Sequence, residues 1–172
     1  MSRILTEVLA QRFEEDIALI EEMLALVPAD QESWRPDWPM SNGGDPAFTV
    51  AELAAHILMS WGGVNGCLQK LHPENLKGLD GHKQQENSTL AVSRGLLATG
   101  RALTKEGFAL TSDADLARKI PTFFTPAGEV FLETLLTNGK HVNHHAHQLF
   151  VYLKLLGAPV GTRHLYRFKN RP

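Results

Sequence analysis

The sequence is poor in cysteine: Cys67 is the single one among 172 residues. A disulfide framework within the chain is therefore excluded, and a lone thiol suits a reducing, cytoplasmic compartment. Long apolar runs are missing too. No stretch approaches the ~18 consecutive apolar residues of a membrane helix. The opening "MSRILTEVLAQRFEEDIALIEEML" has acidic residues in every apolar stretch, which argues against a secretory signal. Charge of one sign is also scarce. Lys and Arg total 17 against 19 Asp and Glu, giving a formal net charge of −2 and no basic footprint for nucleic acid. There is no Gly-rich phosphate loop and no G-x-S-x-G elbow, so phosphate-cradling and serine-hydrolase chemistries lapse. Internal repeats and low-complexity tracts are likewise missing.

What remains is an ordinary globular composition, 43% hydrophobic and 21% charged. Its length suits a single domain over residues 1–172. Between Arg3 and Val27, apolar residues fall at three- and four-residue steps (Ile4, Leu5, Val8, Leu9, Phe13, Ile17, Ile20, Met23, Leu24), predicting a long amphipathic helix that Pro28 stops. "PADQESWRPDWPMSNGGDPAF" carries Pro28, Pro36, Pro39, Pro46 and the Gly43-Gly44 pair. It must be a long loop, with Trp34 and Trp38 pinning it to the body of the protein. "TVAE" reads as a capping box of Thr49 and Glu52, opening a second helix that ends before Pro73. A polar loop, "HPENLKGLDGHKQQEN", leads to a third helix from about Ser88 to Leu110, with Leu90, Leu97 and Leu103 along one side. Around "TPAG", Phe123-Phe124 and Val130-Phe131 suggest a short two-stranded hairpin. The competing reading makes Thr125 the N-cap of the last helix and Pro126 its first residue. The last helix runs from about Leu132 to Leu156 and stops at "LLGAP", where Gly157 caps and Pro159 forbids continuation. Four such helices make the fold class all-α, a four-helix bundle with long first connections.

"HVNHHAHQ" holds four of the eight histidines. At about 100° per residue, His145 lies ~40° from His141 and Tyr152 ~20° from it, while His147 lies ~120° the other way and His144 at the edge. His141 and His145 therefore point together to the apolar side, and His144 and His147 read as surface residues. An i, i+4 pair can converge on one small cation, but a third ligand has to come from another helix. His56, in line with Leu53 and Ser60, faces inward on the second helix and is one candidate for it. Cys67 shares that side but lies about three turns, roughly 16 Å, further along, too far to share the ion. The other reading of the same rings is hydrogen-bonded core histidines. Gln148 and Tyr152 share the inward face; Ser60 and Trp61 are candidates to border a pocket, although Ser60 reads foremost as a hydroxyl bonding its own backbone and Trp61 as packing. Glu52, one turn before His56, is a candidate to bond it from behind, in competition with its capping role.

"TVAELAAHI", "HVNHHAHQLFVYLKLLG" and "APVGTRHLYRF" together resemble the DinB/YfiT-like proteins, a family of metal-binding four-helix bundles, over nearly the whole chain. The resemblance implies three metal ligands, falling on His56, His141 and His145, and a homodimer. The family often has Arg-Gly before the Gln, where this chain has Ala146-His147. The thiol-dependent maleylpyruvate isomerases among the relatives differ, since His141 stands where an E-x-x-x-H variant would have Glu. Three imidazoles favour zinc or nickel, with iron or copper following, and leave positions open for water or substrate. The chemistry such a site offers is hydrolysis, or transfer involving a low-molecular-weight thiol, on an unidentified small molecule. The alternative is a non-catalytic metal- or small-ligand-binding protein related to stress. A di-iron carboxylate bundle needs Glu-x-x-His on paired helices, and "ELAAH" has the wrong spacing.

Overall fold

Each of the four apolar periodicities becomes a helix in the computed structural model, which describes residues 2–38, 47–76, 89–122 and 125–166. Helix α1 spans Ile4–Ala25 and buries Leu9, Phe13, Ile17, Ile20, Met23 and Leu24, one side of the helix at steps of about one turn. Its first turn departs from expectation: Ile4 is 76% and Val8 57% exposed. There the inward position is taken by Thr6, whose backbone N–H and hydroxyl both donate to Asp113 Oδ1, at 2.9 and 2.8 Å. Arg3 provides no side-chain cap, so this carboxylate from beyond the third helix satisfies an N-terminal N–H that would otherwise be orphaned. The hydrogen bonds from Ser2 and Thr6 hold Asp113 low, at about 2.

Helix α2, Val50–Leu71, opens with the expected reciprocal capping box between Thr49 and Glu52. Helix α3, Leu90–Leu110, is capped by Thr89. Two short antiparallel strands, β1 (Lys119–Ile120) and β2 (Glu129–Val130), precede helix α4, Phe131–Leu155. The hairpin reading thus holds over the Thr125 cap. The second strand keeps the expected Val130 but not Phe131, which is drawn, fully buried, into the first turn of α4. Phe123 and Phe124 fall outside the described residues, as do Pro39, Gly43, Gly44, Pro46, Ser88 and most of the second loop. At the far end of α4, Gly157 has φ 73°, and the N–H groups of Ala158 and Gly157 donate back to Leu153 and Lys154. That pair of bonds is the Schellman stop that "LLGAP" predicts.

The helices are arranged in the ring order α1–α3–α2–α4, with α2 against α3 and α4 the most extensive contacts. Arg3 reaches the carbonyls of Phe108 and Ala109, and Arg101 pairs with Glu14, so α1 and α3 are antiparallel. Helices α2 and α3 run parallel. Their N-termini share Glu32, whose carbonyl accepts from Ala51 and whose carboxylate accepts from Leu90, and His72 meets Thr111 at their other ends. The two long connections follow from this topology. One crosses the diagonal from α1 to α2, and the other returns the length of the bundle between α2 and α3. Among the described residues no helix is long and apolar enough to cross a membrane.

Candidate metal centre

Helices α2 and α4 lie antiparallel, and their facing turns bring His56 against His141 and His145. Ring centroids are 4.5 Å apart for His56 and His145, 4.6 Å for His141 and His145, and 5.1 Å for His56 and His141. The Nε2 atoms of His56 and His141 are 3.0 Å apart. One ligand nitrogen from each ring lies within 4.8 Å of the other two. With Zn–N bonds of about 2.0–2.1 Å, two imidazoles on a tetrahedral ion stand roughly 3.3 Å apart. The His56–His141 pair is already near that spacing, and a ring nitrogen of His145 lies within 4.8 Å of both. The donor set of three imidazoles fits a borderline divalent cation.

The electrostatics favour neutral rings. Desolvation first, then the neighbouring His145 and His141, lower the pKa of His56 to about 4. Desolvation, followed by His145 and His144, lowers that of His141. A ring that resists protonation keeps a lone pair for a metal. Phe48 closes one side, stacked on His56 at 5.0 Å between centroids and meeting His145 edge-on at 6.3 Å. His141 is the exposed member, so the cluster opens on its side.

The other residues singled out by the sequence sort by contact. His145 Nδ1 lies 3.0 Å from Gln148 Oε1, and Gln148 Nε2 donates to the Tyr152 hydroxyl at 3.0 Å. Ser60 donates to the carbonyl of His56 at 3.0 Å, a bond within its own helix. Glu52 does not sit behind His56: its carboxylate accepts from the Thr49 N–H at 2.6 Å and faces Arg35 at 3.8 Å. Trp61 does not border the cluster either. It stands ~140° around α2 from His56, where its indole N–H donates to Thr104 and its ring meets Phe13 edge-on at 5.1 Å. His144 is exposed, and His147 is exposed with Nδ1 2.8 Å from the carbonyl of Asn143. At the Ala146-His147 pair, Ala146 is buried and the larger His147 ring is exposed. Cys67 is buried and apart from the cluster. The expected anchoring of the first loop is present, with Trp34 and Trp38 meeting Tyr152 edge-on at 5.4 and 6.0 Å. Phe48 was not legible as a site residue; its only sequence signal is an aromatic immediately before the Thr49 cap.

A four-helix bundle with an imidazole cluster between two facing helices, open on one side, defines a class of helical proteins equipped to hold a metal ion. The sequence model of the DinB superfamily matches residues 12–149, and the chain belongs to that superfamily. No curated protein matches the sequence significantly.

Proposed function

We propose that this protein holds a divalent metal ion, zinc or nickel before iron or copper, on His56, His141 and His145, and uses it as a metal-dependent hydrolase or thiol-dependent transferase acting on a small molecule. The observation that carries this reading is the convergence of three imidazoles, two of them held neutral, on one point between α2 and α4. An ion so placed would supply Lewis acidity towards an oxygen or a thiol sulfur. The chain's own contribution is orientation and exclusion of water. Phe48 shields the His56 and His145 side, leaving approach along His141. The resemblance that suggests the metal also suggests a homodimer.

A second reading, a non-catalytic metal or small-ligand carrier, is favoured by one feature. The cluster contains no carboxylate, and Glu52 is engaged by the helix cap, so neither supplies a carboxylate general acid or base at the three rings.

The test is metal content, by plasma mass spectrometry, of untagged protein, wild type and His145→Ala. Near-stoichiometric zinc or nickel that falls away in the variant supports the centre and directs screening towards hydrolase and thiol-transferase substrates. No metal in the wild type, even after incubation with zinc and nickel, overturns it.

A further inference from the structure

The hydrogen bonding around the cluster continues behind it, along one face of α4. His145, Gln148 and Tyr152 stand at i, i+3 and i+7, successive turns on one side. The amide oxygen of Gln148 can only accept, so at 3.0 Å it requires the proton of His145 to sit on Nδ1. Nε2 of His145 then carries the lone pair. The other half of the Gln148 amide donates to Tyr152 at 3.0 Å. The reverse orientation of that amide would present N–H to Nδ1, place the proton on Nε2 and close His145 to a cation. The amide's direction therefore decides whether His145 can act as a ligand.

In the structure the amide's other end is anchored by a buried partner. Tyr152 is fully buried, and Trp34 and Trp38 close on its ring from the α1–α2 connection. Trp34 is itself fixed, since its carbonyl accepts from Val50 at the start of α2 at 2.9 Å. The phenol cannot swing away, so the amide has a stationary partner.

We infer that Gln148 is a positioning residue: its amide oxygen holds His145 as the Nδ1–H tautomer with Nε2 turned towards His56 and His141, and its amide is anchored in place by Tyr152, backed by Trp34 of the first long connection. The inference rests on the metal-binding reading and adds the part of the molecule that prepares the third ligand. A partner on the non-ligating nitrogen fixes both tautomer and ring orientation, and loss of such a partner typically costs 10–100-fold in metal affinity.

The experiment compares wild type, Gln148→Leu, Gln148→Glu and Tyr152→Phe. Zinc affinity is measured by competition with a chromophoric chelator, the His145 tautomer by long-range proton–nitrogen NMR of zinc-free protein, and helicity by circular dichroism. The expected result is an Nδ1–H tautomer in the wild type and zinc binding about 10–100-fold weaker in Gln148→Leu at unchanged helicity. Gln148→Glu, which keeps an acceptor, should bind at least as tightly as wild type. Tyr152→Phe, which frees the far end of the amide and leaves the His145 contact in place, should show a smaller loss of affinity than Gln148→Leu. If Gln148→Leu unfolds, the Gln148→Glu and Tyr152→Phe results decide. Wild-type zinc affinity in Gln148→Leu, or an Nε2–H tautomer in zinc-free wild type, overturns this inference and leaves the metal centre standing. Wild type that takes up no zinc overturns both.

Discussion

His56 is the residue on which protons and a metal would compete most unevenly. Its pKa, lowered to about 4 by burial and by two neighbouring imidazoles, stands against an unfolded value near 6.5. In metal-free protein the unfolded chain therefore takes up this proton first. The sign follows: the contribution to stability is fully present above pH ~6.5 and is lost as pH falls towards 4. Urea unfolding of metal-free protein between pH 7 and 4 should show stability declining over that window, and His56→Asn should flatten part of the slope. An unchanged slope would place the coupling elsewhere. The pairing of His141 with His145 was legible from their i, i+4 spacing, and His56 from its position in line with Leu53. What spacing could not convey is the environment of each ring. Nothing in "PAFTV" announces that Phe48 stacks on His56, whereas Trp61 packs, as its leading reading had it, because it lies on another side of α2 from His56.

At the scale of the element, two of the three glycines of α3, Gly95 and Gly107, make a controlled comparison. A Cβ on Gly107 would stand 2.8 and 2.9 Å from side-chain atoms of Leu68, whereas a Cβ on Gly95 meets nothing within 4 Å. In both places alanine raises helix propensity by roughly 0.5–1 kcal/mol. At Gly95 that gain is unopposed, and Gly95→Ala should stabilise by about that amount. At Gly107 the close approach of α2 and α3 opposes it with an overpacking cost of about 1–3 kcal/mol, so Gly107→Ala should be destabilising overall. Chemical denaturation of the two variants checks the opposite signs; stabilisation by both would mean that Leu68 yields freely. The extents of the helices were legible because their stops are local: the Thr49–Glu52 box, and Gly157 with its two back-bonded N–H groups. The cap of α1 was not, since Asp113 reaches it from the far end of α3. The hairpin was legible in kind, but its second strand stops at Val130, because burial of Phe131 in α4 outweighs its strand propensity.

For the whole molecule, loop lengths in the sequence allowed a bundle without tight turns but did not say which helices are neighbours. That order is set by contacts remote along the chain, such as Glu32 with both Ala51 and Leu90. It places α2 and α4 side by side and makes the histidine cluster a crosslink between elements joined only through α3 and the hairpin. An ion held there binds the folded protein and not the dispersed histidines of the unfolded chain with equal strength, so it should stabilise the whole bundle. At free metal 100-fold above Kd the gain is about 2.7 kcal/mol, which for a domain of this size raises Tm by roughly 5–10 °C. Binding by unfolded histidines such as His144 and His147 would reduce that figure. Scanning calorimetry with zinc, and again after chelation, should show the rise and its reversal in the wild type and its near-absence in His145→Ala. A rise of equal size in that variant would mean that the stabilising ion sits elsewhere, with the exposed His144 and His147 the first place to look.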